Sequence, residues 1–200
     1  MRVSLFDYGA GNLHSLVKAI ESPGVSVRVD TDPASAVSGT DALVLPGVGA
    51  FGQAATRLAP ALDAVREALA AGLPCIGICL GMQLLFDGSD EGKGAGLGVI
   101  PGRVTRLDAR RVPQIGWNML DSRHDPLFDT APLEIAYFAN GYVCRPSTDA
   151  CVRAWSTHEA ERFPSMIRAG HVVGVQFHPE KSSAPGVAFL RAFFEEAGAS

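Results

Sequence analysis

Short apolar runs that each lead into a turn and then a helix-like stretch restrict this chain more than any other feature. Residues 3–6, 25–29, 42–45 and 74–78 read as strands. Asp7-Tyr8-Gly9-Ala10-Gly11-Asn12 breaks the first of them, and Asn12 can cap a helix carrying Leu13, Leu16, Val17 and Ile20 at helical spacing. A long helix is expected over residues 53–71, with Gly72 as its stop, and another begins over 81–86. Strands alternating with helices in this way predict a mostly parallel α/β sheet covered by helices on both faces. After Val99 the pattern changes to shorter β-like runs at 103–107, 133–139, 151–156, 164–168 and 172–177. They predict a smaller mixed or antiparallel sheet. Residues 185–197 close the chain as a helix, with Val187, Leu190, Phe193 and Phe194 on one face. There is no internal repeat or evident linker, so residues 1–200 are read as one domain.

Composition narrows the function classes. Hydrophobic residues make up 47% and charged residues 19%, proportions of a globular enzyme rather than a disordered chain. A net charge of -4 gives no basic footprint for nucleic acid. No run approaches the roughly 18 apolar residues of a membrane span. Asp7 interrupts the stretch that a signal peptide would continue, so a cytoplasmic location is expected. Cys75, Cys79, Cys144 and Cys151 are too few for a disulfide framework and form no CxxC pair, so neither a structural zinc nor another cofactor is expected. Cys75, Cys144 and Cys151 read as structural.

Gly77-Ile78-Cys79-Leu80-Gly81 lies between an apolar strand and a helix, the context of a nucleophile elbow. A sharp turn there lifts one side chain off the sheet, and flanking glycines relieve the crowding. The thiol would sit at a helix N-terminus, which favours thiolate, with the Leu80 N–H aimed at a forming oxyanion. A buried cysteine between packing glycines is the plainer alternative. Of the histidines at 14, 124, 158, 171 and 178, only His178 directly follows an apolar strand and precedes Pro179-Glu180. Glu180 can orient the ring while its other nitrogen takes the thiol proton. A surface His-Pro-Glu turn is the alternative. His14 is expected on the first helix, His124 in a polar turn, and His158 and His171 in solvent.

Gly77-Ile78-Cys79-Leu80-Gly81-Met82-Gln83, with Gln176-Phe177-His178-Pro179-Glu180 later in the chain, resembles the class I glutamine amidotransferases. The likeness narrows to the glutaminase subunits of imidazole glycerol phosphate synthases through Asp7 to Asn12, Pro46-Gly47-Val48-Gly49-Ala50-Phe51, Gly96-Leu97-Gly98, Val112-Pro113-Gln114-Ile115-Gly116-Trp117-Asn118 and Pro179-Glu180-Lys181-Ser182. It covers essentially the whole chain. It implies a flavodoxin-like core, a γ-glutamyl thioester on Cys79, and a second oxyanion amide from Val48 beside that of Leu80. Gly49, Gln83, Asn140, Gly141 and Tyr142 would bind glutamine. Asn12, Trp117, Tyr137 and Lys181 would face a partner, a (β/α)8-barrel cyclase that uses the released ammonia in histidine biosynthesis.

Two positions depart from the common pattern. Asn140-Gly141-Tyr142 replaces His-Ser-Tyr, and Gln114 replaces a frequent His after Val-Pro. Both put the glutamine contacts in question. Gly92-Lys93-Gly94-Ala95-Gly96-Leu97-Gly98 lacks the strand and helix of a phosphate loop and reads as a mobile surface turn. Trp117 alone would be a core aromatic, and the resemblance moves it to a partner surface. Alternatives are a glutaminase subunit for anthranilate or aminodeoxychorismate synthesis, a stand-alone γ-glutamyl hydrolase, and a non-catalytic regulatory module on the same fold.

Overall fold

The structure is a computed structural model, which describes residues 1–9 and 13–199. In chain order it runs β1 (Arg2–Phe6), α1 (His14–Ile20), β2 (Ser26–Asp30), α2 (Pro33–Val37), β3 (Ala42–Leu45), α3 (Phe51–Leu58), α4 (Leu62–Ala70), β4 (Cys75–Ile78), α5 (Leu80–Leu84) and β5 (Phe86–Ser89). It continues with β6 (Ile100–Arg106), β7 (Gln114–Met119), α6 (Pro126–Thr130), β8 (Ile135–Asn140), β9 (Tyr142–Pro146), β10 (Val152–His158), β11 (Glu161–Ala169), β12 (Val172–Val175) and α7 (Ser183–Ala199).

The largest sheet has the order β10-β11-β12-β4-β3-β1-β2. Strands β12, β4, β3, β1 and β2 are mutually parallel, and β10 and β11 extend the sheet antiparallel at one edge. Strands β5, β6 and β9 form a mixed sheet, and β7 pairs with β8 alone. Both the mostly parallel sheet and the smaller mixed one match expectation.

Strand alternation sends side chains to two cores, one on each face. Ala42 and Val44 pack with Leu16, Ile20, Phe189 and Leu190, whereas Leu43 and Leu45 pack with Phe51, Leu58, Val65 and Leu69. Helices α1 and α7 thus cover one face, and α3 and α4 the other. Each large apolar side chain buried this way contributes about 1.5–3 kcal/mol. No helix among the described residues is long and apolar enough to cross a membrane.

The expected helix over 53–71 is two helices. Pro60 lies in a 3-10 turn, Ala59–Ala61, between α3 and α4. Its ring supplies no N–H for the ladder, so one continuous helix cannot form there. Gly72 does end α4, at φ +107°. Phe86, expected at the end of a helix, instead begins β5. The 92–98 segment is no free turn: Gly96, Leu97 and Gly98 N–H donate to the carbonyls of Asp87, Leu84 and Phe86, and Leu97 is buried. Helices α2 and α6 were not anticipated; Asp32 and Asp125 cap them, each followed by Pro at the first helical position.

Candidate active site

Parallel pairing brings the carboxyl ends of three strands together. Leu45 aligns with Gly77, and Val175 with Ile78. The segments after β3, β4 and β12 therefore emerge side by side at one edge, the usual ligand position of an open parallel sheet. They carry Gly47-Val48-Gly49, Cys79 and Gln176 to Glu180.

Cys79 adopts φ 48°, ψ -101°, a strained conformation for a residue with a Cβ. It is held there on both sides: its N–H donates to Val175 O at 2.7 Å, and its carbonyl accepts from Gln83 N–H at 3.1 Å. A Cβ on Gly77 would lie 2.6 Å from Gly81 C, and one on Gly81 would lie 2.0 Å from Leu45 O. Both contacts are impossible, so the elbow closes only because both residues are glycine. The side chain of Cys79 sits at the N-cap of α5.

Phe177 is anchored in an aromatic cluster, its ring centroid 6.0 Å from Phe138 and 5.7 Å from Phe189. Its neighbours in the chain therefore turn the other way, toward Cys79. Gln176 Nε2 lies 3.4 Å from Cys79 Sγ, and the His178 ring lines the same cavity as Cys79. His178 Nδ1 is 2.9 Å from Glu180 Oε1. Burial disfavours the imidazolium, but hydrogen bonding and charge from the Cys79 thiolate, and then from Glu180, outweigh it and raise the His178 pKa from 6.5 to about 10. Ser182 fixes the backbone here: its Oγ donates to His178 O at 2.7 Å and accepts from Tyr137 N–H at 2.9 Å.

A cavity of about 180 Å³ opens over these groups, lined by Gly47, Val48 and Gly49 on one side and Ala139, Asn140, Gly141 and Tyr142 on the other. Leu80, Gln83, Glu91 and Lys181 complete its wall with Cys79 and His178. Gln83 Nε2 and Asn140 Nδ2 both donate to Tyr142 O, at 3.4 and 3.1 Å. Asn140 Oδ1 and, on the paired residue of β7, Gln114 Oε1 are buried without a partner among the described residues. A Cβ on Gly141 would meet Val112 Cγ1 at an ordinary 3.4 Å, so the cavity wall does not require glycine there. A larger hollow of about 530 Å³ lies at the opposite end of the sheet beside Arg66 and His171, away from Cys79.

Sequence reasoning left four residues of this region without a role. Glu91 lines the cavity and also accepts Phe51 N–H at 2.8 Å, but no local pattern marks it. Gln176, Ser182 and Tyr8 lie inside the quoted motifs; Tyr8 is buried and its hydroxyl donates to Pro46 O. Asn12 lies outside the described residues. Among the other histidines, His14 and His124 are exposed. His158 and His171 are half-buried rather than solvated, their Nε2 atoms on Arg111 O and Leu69 O at 2.8 and 2.7 Å.

Trp117 is 55% exposed and stacks edge-on against half-buried Tyr137, with ring centroids 6.2 Å apart. Ile115, Met119 and Ile135 are exposed on the same face of the β7–β8 ribbon. Lys181, also exposed, joins the cavity rim nearby.

The class I glutamine amidotransferase family model matches residues 4–197. The chain belongs to the class I glutamine amidotransferases. Among curated amidotransferase relatives it is 47% identical to the imidazole glycerol phosphate synthase subunit HisH of Symbiobacterium thermophilum, over 94% of this chain and 91% of that one. It is 41% identical to the protein of the same name from Natronomonas pharaonis, over 96% and 94%. In fold this amidotransferase is similar to a solved glutamine amidotransferase at a TM-score of 0.75, with 21% identity over 98% of each chain. A solved glutamine amidotransferase from Thermotoga maritima gives 0.67, with 20% identity over 100% of this chain and 84% of that one.

Proposed function

We propose that this chain is the glutaminase subunit of an imidazole glycerol phosphate synthase, with residues 1–200 as its single domain. The observation that carries the reading is the strained Cys79 elbow, sharing one cavity with a His178 that is itself oriented by Glu180. The full-length likeness to synthase subunits supports the pathway.

In this reading the Cys79 thiolate attacks the side-chain carbonyl carbon of glutamine. The N–H groups of Val48 and Leu80 receive the oxyanion. His178 gives its proton to the departing nitrogen, ammonia leaves, and a γ-glutamyl thioester remains on sulfur. The neutral ring then takes a proton from water, whose oxygen attacks the thioester, and glutamate leaves as the thiolate and imidazolium are restored. Glu91 offers a carboxylate to the substrate's α-ammonium. Gly49, Gln83, Asn140, Gly141 and Tyr142 contact the rest of it, Gln83 and Asn140 releasing Tyr142 O as they turn toward the ligand.

The partner is a (β/α)8-barrel cyclase seated on the apolar face of β7 and β8, with Trp117 and Tyr137 as anchors and Lys181 at the rim. A cross-strand pair of exposed Trp117 and half-buried Tyr137, flanked by Ile115, Met119 and Ile135, is the composition of an interface core rather than of a solvated ribbon. The test uses the reconstituted complex with glutamine and ammonium salt as parallel nitrogen donors. Cys79→Ala is expected to abolish glutamine-dependent synthesis and preserve the ammonium-dependent rate, while Cys75→Ala keeps both. Glutamine-dependent turnover in Cys79→Ala would refute the mechanism.

A further inference from the structure

We propose that the Gln176 side-chain amide is a second hydrogen-bond donor to the nucleophile, raising the thiolate fraction of Cys79 and aiming its sulfur. The inference rests on Cys79 being the nucleophile and assigns a role to a residue that the triad does not contain.

Gln176 is fully buried, and its Nε2 lies 3.4 Å from Cys79 Sγ. Backbone alternation about Phe177 puts the amide and the His178 ring on the same side, so the amide reaches the sulfur within the cavity that the ring also lines. Among the described residues no other group hydrogen-bonds the amide. Its Oε1 has no partner among the described residues, and neither does the hydroxyl of Ser165, the residue opposite it in the sheet. A buried amide without partners is costly. The arrangement is favourable when the NH₂ group meets a negative charge, because a charge-assisted hydrogen bond is roughly twice as strong as a neutral one.

The two donors then do different work. His178 must surrender its proton during the reaction, whereas an amide N–H does not titrate and keeps donating while the ring is neutral. Gln176 therefore stabilises the thiolate as it is regenerated from the thioester. Other titratable groups coupled electrostatically to Cys79 are His178, Tyr8 and Cys144, with Glu180 behind the ring and Glu91 and Lys181 at the cavity wall. All remain in place when position 176 alone is changed.

The experiment is carbamidomethylation of the full chain across pH, with labelling at Cys79 followed by peptide mass spectrometry in the native chain, Gln176→Leu and Gln176→Glu. Removing a hydrogen bond to a charged group should move the Cys79 midpoint up by about 1–2 pH units in Gln176→Leu. The nearly isosteric Gln176→Glu, which adds a negative charge beside sulfur, should move it further. A purely structural role would change melting and turnover but not this midpoint, so an unchanged midpoint in either folded variant overturns the proposal. If neither variant folds, the native chain labelled with ¹⁵N-glutamine decides. The Gln176 side-chain NH₂ resonance should shift with the Cys79 midpoint and lose that response in Cys79→Ser; a resonance indifferent to pH overturns the proposal. Labelling of Cys79 no faster than that of Cys75, Cys144 and Cys151 would instead refute Cys79 as nucleophile, and with it this inference.

Discussion

Replacing Glu180 by Gln isolates what the carboxylate does for His178. The Nδ1 to Oε1 distance is 2.9 Å, His178 is 1% exposed, and little solvent screens the pair. Burial alone would favour a neutral ring, and the pKa is raised to about 10 only because Cys79 and Glu180 oppose that tendency. Glutamine preserves the shape but not the charge, so the imidazolium should become harder to form. A hydrogen bond to a charged group contributes about 1.5–3 kcal/mol, which sets the expected loss of stability when His178 is protonated. The sign follows from linkage. A pKa raised above the ordinary 6.5 stabilises the fold fully below 6.5, and that contribution is lost as pH rises through about 10. The gap in urea stability between the native chain and Glu180→Gln should therefore be widest near pH 6 and narrow toward pH 10. Glutaminase turnover of the complex should fall by about 10²–10⁴, the range for a mispositioned general acid–base. Turnover near the native value, or a stability gap that grows with pH, would refute this account of the His178–Glu180 pair.

Other perturbations have separable outcomes. Trp117→Ala should weaken cyclase binding by about 2 kcal/mol or more, measured by calorimetry, with melting almost unchanged because the ring is 55% exposed. Asp125→Ala should destabilise the chain by about 3–5 kcal/mol in urea titrations. The buried Asp125 carboxylate meets Arg168 at 2.7 and 2.9 Å and also caps α6, far from Cys79 in role, so turnover of the folded fraction should persist. Ser182→Ala should lower glutaminase turnover of the complex in steady-state assays, because its hydroxyl ties Tyr137 N–H to His178 O.

The middle of the central sheet was legible because β3 and β4 are short and fully apolar. All four residues of β3, and all four of β4, are buried, and such runs bounded by glycine or proline have few other uses. The elbow was legible for a related reason, since two glycines bracketing one cysteine mark a backbone crossing that admits no Cβ. Pro60 was overlooked inside a strong helical pattern, although a proline there removes a ladder donor. The Asp-Pro starts of α2 and α6 carried a usable capping signal in segments too short to show periodicity. Strand β7 escaped because its pattern is inverted: Gln114 points inward, while Ile115, Trp117 and Met119 point out. Glu91 and Ser165 approach the site only through tertiary folding, and no local sequence feature announces them.

That inverted pattern connects the surface proposed for the partner to the proposed chemistry. Strand β8 carries Tyr137 on the exposed ribbon, yet the backbone of Tyr137 is tied to that of His178. Its carbonyl accepts His178 N–H at 2.8 Å, and its own N–H donates to Ser182 Oγ, which in turn donates to His178 O. Three hydrogen bonds thus lock the backbone of His178, the proposed general base, to the strand that carries Tyr137. Further along β8, Ala139 and Asn140 form the cavity wall facing Gly47 to Gly49. A partner that shifts or stiffens β8 by a few tenths of an ångström therefore acts on the base and on one wall of the cavity together, with no intervening mobile element. Close packing resists uneven deformation, so the ribbon transmits such a shift as a unit. The ribbon is consequently a poor place for apolar surface without a partner, and a good place for apolar surface that engages one.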